Sequence, residues 1–358
     1  MKLQNQVFSQ TFCLFSAMLG LGGVTATLAD STLPGKAHLA QVSPTSSLAQ
    51  SAAVAAPSPL PTPLARSVSQ IGDHRITTLL PDSRGTLWVG SWQGIARVDP
   101  KTGRVLLQAS LPNNFVGALA EDRVGRIWVG TLNGIFRIDP KTGQVTAQNF
   151  TLPSNRVLSL LVDRRGFLWV GTDAGLALIS PDQGLLMTTV RKLPGVSANA
   201  LALDRNGQLW VGTLEGLVQI NTANALILQQ VPNLPGATVQ SLALSPWDTL
   251  LVGTTSGLSE ISPTNIKRVR VVGQLQGRSV TALDFDEATS LWVGTTTGLL
   301  RLNPYNGVIG GEIADLPSSR ILSLATGVAD KIWAGTSEGL AWISTKTYQA
   351  NFHNTFPR

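Results

Sequence analysis

The chain has little of what several protein classes require. Its 358 residues include one cysteine, Cys13, and three histidines. A single thiol excludes a disulfide framework and a cysteine-based zinc site within the chain. Charged residues make up 13% of the sequence, and the densest basic run, Lys267-Arg268-Val269-Arg270, is short. Despite a net charge of +6, the sequence therefore predicts no nucleic-acid binding.

Long apolar runs are also scarce. The stretch from Thr11 to Val24 follows Lys2 and precedes the small residues around Ala29. This arrangement predicts a secretory signal peptide over residues 1–29, with an uncleaved membrane anchor as the alternative. Every later apolar run is interrupted by Gly, Asp or Pro, so no transmembrane helix is expected in the mature chain. The prediction places the protein in the periplasm or outside the cell.

Residues 30–65 lack the apolar pattern from which a core forms. They are rich in Ala, Ser, Pro and Thr, and they include the run Ala55-Ala56-Pro57-Ser58-Pro59. Such a composition is typical of a disordered, extended tether. It predicts a spacer between the leader and one folded domain, residues 66–358.

A pentapeptide of the form Leu/Ile-Trp-Val-Gly-Thr recurs along that domain with small variations. Its tryptophans are Trp88, Trp128, Trp169, Trp210, Trp292 and Trp333, and a seventh copy has Leu251 at the same place. Successive positions lie 40 or 41 residues apart. This period is typical of β-propeller blades.

Each unit has the sequence features of four short strands. An apolar strand such as Val157 to Leu161 leads into an Asp-x-x-Gly turn, which suits a tight reversal. The tryptophan strand, a glycine hairpin, a third strand and a weaker fourth strand follow. Nearly continuous apolar strands are expected where both faces of a sheet are covered, as between blades. The sequence predicts an all-β fold, a monomeric seven-bladed β-propeller of four-stranded blades.

Closure of the ring requires a fourth strand in the last blade. Two segments compete for this position, residues 65–70 from the N-terminal side and residues 348–353 from the C-terminal side. The N-terminal segment is favoured, because residues 66–70 adjoin the first unit with the spacing of the other fourth strands.

The segment Asp163-Arg164-Arg165-Gly166-Phe167-Leu168-Trp169-Val170-Gly171-Thr172-Asp173-Ala174-Gly175-Leu176 resembles the two-component regulator propeller repeat. The resemblance extends over residues 70–345. It implies a sensor-type propeller, which in that family often forms the periplasmic part of hybrid histidine kinases. The sequence departs from that pattern in having one propeller and no kinase, so a free-standing exported module that binds a ligand or protein is the expectation.

The sequence offers little catalytic chemistry, and neither a metal nor a cofactor site is predicted. Asp82, Asp122, Asp163, Asp204 and Asp286 recur at the first turn of their units, and such periodicity indicates a structural role. A distant similarity to streptogramin lyase propellers implies a histidine on one propeller face, for which His74 is the available residue. We expect a non-enzymatic protein, with a lyase-like enzyme as the less favoured alternative.

Function on a propeller usually lies in loops at one mouth of the channel. The loops before each first strand and between the second and third strands share a face and differ between units. They contain aromatic and charged residues suited to a polar or anionic ligand or to a protein surface. The predicted ligand-binding residues are Trp92, His74, Arg75, Phe115, Arg156, Asp173, Glu215, Arg278, Arg320 and Glu338. A scaffold or assembly factor that docks another exported protein is the alternative function.

A second tryptophan outside the repeat, Trp247, lies in the unit whose anchor tryptophan is replaced by Leu251. We hypothesise that Trp247 folds back to fill the volume that Leu251 leaves.

Overall fold

The computed structural model describes residues 74–109, 111–112, 114–264, 266 and 268–353. In these residues, 28 strands form seven sheets, each of four antiparallel strands, and one short 3-10 helix spans Gly273–Leu275. The strands are β1 (Ile76–Pro81), β2 (Leu87–Ser91), β3 (Gly94–Val98), β4 (Val105–Ala109), β5 (Ala118–Glu121), β6 (Ile127–Thr131), β7 (Gly134–Ile138), β8 (Val145–Asn149), β9 (Val157–Val162), β10 (Leu168–Thr172), β11 (Gly175–Ile179), β12 (Leu186–Val190), β13 (Ala200–Leu203), β14 (Leu209–Thr213), β15 (Gly216–Ile220), β16 (Ile227–Val231), β17 (Val239–Leu244), β18 (Leu250–Thr254), β19 (Gly257–Ile261), β20 (Arg268–Val271), β21 (Val280–Phe285), β22 (Leu291–Thr295), β23 (Leu299–Leu302), β24 (Ile309–Ile313), β25 (Ile321–Val328), β26 (Lys331–Thr336), β27 (Gly339–Ser344) and β28 (Ala350–Phe352).

Each sheet is one blade, and its strands follow in chain order from the inside of the ring outward. Blade 1 is β1–β4, and blades 2 to 7 continue in steps of four strands to β25–β28. The first strands of neighbouring blades contact one another, and β25 of blade 7 contacts β1 of blade 1. The predicted seven-bladed β-propeller is therefore confirmed. The predicted signal peptide and spacer lie outside the described residues.

The second strands supply most of the core between blades. All five residues are buried in six of these strands, for example in β10 and β14, and in the six-residue β26 all but Lys331 are buried. The tryptophan of each repeat points toward the following blade: Trp88 packs with Val116 and Phe136 of blade 2. Full burial of side chains of this size stabilises the ring by roughly 2–3 kcal/mol each. The buried tryptophans of the repeat therefore stabilise the contact between neighbouring blades.

The recurrent aspartates bind these tryptophans. In four blades the carboxylate of the first turn accepts a hydrogen bond from the indole Nε1 of the same blade. The pairs are Trp88–Asp82, Trp169–Asp163 and Trp210–Asp204, each at 3.1 Å, and Trp292–Asp286 at 2.9 Å. The same groups accept backbone N–H groups, as Asp204 does from Asn206 and Gln208 at 2.9 Å. The structural role predicted for the aspartates is confirmed.

Most blade junctions are also bonded near the axis. In six of them a side chain near the start of one inner strand donates to the carbonyl oxygen of a residue that begins the next inner strand or lies two residues before it. The donor and acceptor pairs are Thr77–Val116, Ser159–Ala198, Asn199–Val239, Ser241–Val280, Thr281–Ile321 and Ser323–Ile76. Gly117 and Ala118 stand at the junction of blades 2 and 3, which has no such bond among the described residues.

The last blade takes its fourth strand from the C-terminal side. β28 pairs with β27, where Ala341 lies opposite Phe352. The expectation that residues 65–70 fill this position is wrong, and those residues lie outside the described part of the chain. The reason is a tight turn after β27, in which the N–H of Tyr348 donates to the carbonyl of Ser344 at 2.8 Å. A local hairpin thereby supplies the strand directly.

Side chains then close the ring between blades 7 and 1. Nζ of Lys331 donates to the carbonyl of Pro100 at 2.7 Å, and Nε2 of His353 lies 2.6 Å from the carbonyl oxygen of Gly103. His353 is buried, and burial lowers the pKa of its imidazole. The neutral ring with its proton on Nε2 can donate this bond.

Candidate functional site

The two faces of the propeller carry different loops. The upper face bears the segments that enter each first strand and the hairpins between second and third strands, because strands alternate in direction. The lower face bears the turns between first and second strands and between third and fourth strands. All ten predicted ligand-binding residues lie in upper-face segments.

Three of the ten lie in direct contact. Cζ of Arg75 is 3.7 Å from the ring centroid of Trp92, and the rings of Trp92 and Phe115 meet edge to face with centroids 4.9 Å apart. Arg75 enters β1, Trp92 lies in the β2–β3 hairpin and Phe115 belongs to the loop into blade 2. Trp92 is still 38% exposed. Arg75, Trp92 and Phe115 form what we call the aromatic platform, which offers a cation and an exposed indole.

Six other predicted residues are spread around the upper rim. Arg278 is half-buried, and Arg156, Asp173, Glu215, Arg320 and Glu338 are exposed. None of the six forms an ion pair with another described residue; the ion pairs between described residues lie in blades 1 to 5, chiefly at lower-face turns. The structure therefore leaves these charges facing solvent and does not bring them into one cluster.

The tenth residue, His74, is half-buried beside the platform's Arg75. Its Nδ1 is buried and has no hydrogen-bond partner among the described residues. His353 belongs to the ring closure between blades 7 and 1. Among the described residues, no group of three or more His, Cys, Asp or Glu side chains has a metal-binding arrangement, and no helix is long and apolar enough to cross a membrane.

A pocket that the sequence analysis missed lies on the lower face, between blades 2 and 3. Its volume is about 290 Å³. The lining residues are Asp122, Arg123, Val124, Arg126, Arg165, Gly166, Phe167, Ser180, Pro181 and Asp182. Every one lies in a turn between strands. The sequence signal was the presence of arginines in the first turns of consecutive units, of which Arg123, Arg126 and Arg165 line the pocket.

The sequence was compared with known protein families. The pattern of the family described as two component regulator propeller matches residues 70–93, 110–133, 151–174 and 192–215. Four segments of the chain are thus similar to the two-component regulator propeller repeat. Each match runs from the entry of a first strand into the hairpin after the second strand, so it covers the aspartate and tryptophan that pair in most blades. The resemblance noted from the sequence is confirmed.

Solved structures share this propeller fold. The extracellular domain of a protein described as the hybrid two-component system BT3049 from B. thetaiotaomicron aligns with a TM-score of 0.66 at 18% identity, over 78% of this chain and 40% of that one. The extracellular domain of a protein described as the one-component system BT4673 from the same organism has a TM-score of 0.58 at 21% identity, over 79% and 49% of the two chains.

A third similar structure is a catalytically inactive virginiamycin B lyase from Staphylococcus aureus with quinupristin. It has a TM-score of 0.63 at 15% identity and covers 74% of this chain and 92% of that one. At these identities the likeness is one of fold. The comparison with curated proteins finds no significant match. This propeller spans less than half the length of the two extracellular domains.

Proposed function

We propose that this two-component regulator propeller is an exported, non-enzymatic binding module of a sensor system, which takes a polar ligand at its upper mouth. The contact of Arg75, Trp92 and Phe115 carries the proposal. An exposed indole backed by a guanidinium and a second ring is a rigid surface on which a sugar ring or a peptide side chain can stack. The repeat family and the extracellular domains with the same fold support the sensor setting and the export.

The charges around the rim would supply selectivity. Arg156, Arg320, Asp173, Glu215 and Glu338 are exposed, so a ligand does not have to break an ion pair between described residues before binding them. Polar groups placed around an apolar surface fix orientation, while the apolar contact provides most of the affinity. The proposed ligand is therefore polar, with at least one face that stacks.

The experiment is a thermal-shift screen of the full chain against neutral and acidic oligosaccharides and short peptides. A ligand at 100 times its Kd stabilises the folded state by about 2.7 kcal/mol. We expect Trp92→Ala to abolish the shift produced by a hit. The matched control is Phe352→Ala, which removes an aromatic of similar exposure, 44% against 38%, from the outer strand of blade 7. If Trp92→Ala and Phe352→Ala show equal thermal shifts with the hit, the hit does not bind at the aromatic platform.

The fold shared with a lyase gives the enzymatic alternative a direct test. An enzyme whose base is His74 would convert the screened ligand, and His74→Ala would abolish that conversion. A binding module leaves the ligand chemically unchanged, as measured by mass spectrometry after incubation. A scaffold function predicts instead that Trp92→Ala weakens association with another exported protein and has no effect on any small molecule.

A further inference from the structure

At the pocket between blades 2 and 3, the turn aspartate has a different hydrogen-bond partner from the one it has in most other blades. In four blades that carboxylate holds the indole of the same blade. In blade 2, Oδ2 of Asp122 instead accepts from Nε of Arg126 at 2.6 Å, and Nε1 of Trp128 is left buried without a partner among the described residues. An unsatisfied buried N–H is unfavourable. Asp122 thus bonds to Arg126 rather than to the indole, and this bond holds the Arg126 side chain in the wall of the pocket.

Arg126 is held from two sides. Its Nη2 also donates to Oδ1 of Asp182 at 3.0 Å, across the blade boundary. Two carboxylates neutralise this guanidinium and fix its orientation. Arg126 is therefore a rigid wall of the pocket, and a bound anion would have to interact mainly with the other two arginines.

Arg165 and Arg123 have more capacity to bind an anion. Arg165 forms one ion pair, with Asp163 at 2.7 Å, and its Cζ lies 4.9 Å from the centroid of the Phe167 ring. Arg123 is exposed and its guanidinium makes no hydrogen bond or ion pair with another described residue. A Cβ added at Gly166, whose φ is +94°, would lie 3.1 Å from Cδ of Arg123. The glycine thus gives the arginine stem a place at the pocket edge.

The rest of the lining is apolar except for one exposed carboxylate. Phe167 and Pro181 contribute ring surface, and Val124 is 66% exposed. Asp182 is the exposed carboxylate of the lining, because the side chain of Asp122 is only 1% exposed. The guanidinium groups of Arg123 and Arg165 beside an aromatic ring suit a small molecule with an anionic group and a flat apolar body.

The geometry points to a second binding site, on the face opposite the aromatic platform, for a small organic oxyanion whose body lies against Phe167 and whose carboxylate or phosphate binds Arg123 and Arg165. A pocket of about 290 Å³ is at the small end of ligand sites, so the ligand is of the size of an aromatic acid rather than a polymer. This site is independent of the function proposed for the upper mouth.

The test is 19F NMR titration of the full chain with 4-fluorobenzoate. We expect saturable binding that is at least fivefold weaker in the Arg123→Gln/Arg165→Gln double variant. Two upper-face variants, Arg278→Gln and Trp92→Ala, should bind it like the wild type, which separates this site from the proposed function. The neutral analogue 4-fluorobenzamide should not bind. Phenyl phosphate should displace the probe at a concentration at which inorganic phosphate does not.

Three results would overturn the site. They are binding that the double variant retains, equal binding of the amide, and equal displacement by inorganic phosphate, which would show that Phe167 contributes nothing. Thermal melting of each variant reports its folding. If the double variant is unfolded, Arg123→Gln alone decides the question, because the Arg123 guanidinium bonds to no other described residue and its loss leaves the turn intact.

Discussion

A change from tryptophan to phenylalanine isolates the contribution of the indole N–H, and the ring offers two matched positions for it. Trp210 and Trp128 are both fully buried. Nε1 of Trp210 donates to Asp204 at 3.1 Å, whereas Nε1 of Trp128 has no partner among the described residues. Because the same atoms are removed from equivalent places, the packing losses largely cancel in the comparison.

The magnitude follows from the two environments. Trp210→Phe loses a hydrogen bond to a charged group, which contributes about 1.5–3 kcal/mol net. Trp128→Phe loses no such bond and removes an unsatisfied buried donor, whose cost is about 1–3 kcal/mol. Asp204 keeps Gln219 and two backbone N–H groups as donors, so its charge stays solvated. We expect Trp210→Phe to lower the free energy of unfolding by roughly 2.5–6 kcal/mol more than Trp128→Phe.

The assay is urea denaturation of the full chain followed by far-UV circular dichroism, with midpoint and slope compared between the variants. Asp204→Asn, alone and combined with Trp210→Phe, completes a double-mutant cycle. The coupling energy should show that the Asp204 carboxylate and the Trp210 indole stabilise each other. Equal destabilisation by the two phenylalanine variants would refute the reasoning, because it would mean that the indole bond contributes nothing beyond packing.

Three further outcomes are expected. Burial lowers the pKa of His353 below its ordinary 6.5. The free energy of unfolding should therefore be highest above pH 6.5 and should fall as the pH drops from 6.5 toward the folded-state pKa. Denaturation measured across this range should show the decline, and His353→Gln should remove it. Gly171→Ala would press a Cβ onto Ser159 and the carbonyl of Ala198 and should cost about 1–3 kcal/mol, whereas Gly311→Ala, with open space around it, should leave the melting temperature nearly unchanged. Trp247→Ala should destabilise by roughly 2–3 kcal/mol, and an unchanged melting temperature would contradict its packing role.

Trp247 is not part of the core cluster that contains Leu251, so its filling of the volume left by Leu251 stays a hypothesis. Its ring stacks on Tyr305 at 5.0 Å and meets Phe285 edge to face at 5.8 Å, and its Nε1 donates to Glu260 at 3.1 Å. Phe285 packs against the same core cluster as Leu251. Trp247 thus covers the junction of blades 5 and 6 from the lower face and remains half-buried.

The architecture was predictable because it depends on repeated residues. Apolar strands, turn aspartates and hairpin glycines recur with the period of the blade, so strand number and order follow from the spacing. The pairing of aspartate with tryptophan was present in the sequence as well: Ser245 and Leu251 replace both partners in the same unit. In blade 7, by contrast, Gly327 takes the aspartate position while Trp333 is kept, so the sequence gives only part of the signal for this contact.

The sites were less predictable because they depend on where single side chains in loops and turns point. The platform joins three residues from separate segments, and sequence order placed them only on a common face. The lower pocket depends on which donor Asp122 accepts from, a choice between Arg126 and Trp128 that local sequence does not determine. The closing strand was mispredicted for a similar reason, since both chain ends had suitable spacing and the turn at Tyr348 decided between them.

The local hairpin that completes blade 7 has a mechanical consequence. β28 is an outer strand held by three residue pairs to β27, and His353, which directly follows it, contacts the carbonyl of Gly103 in blade 1. A force applied to the chain after Phe352 would load those pairs in succession, as in unzipping, rather than all at once in shear. Tension applied after Phe352 would therefore separate β28 from β27 before it loads the inner strands of blade 7.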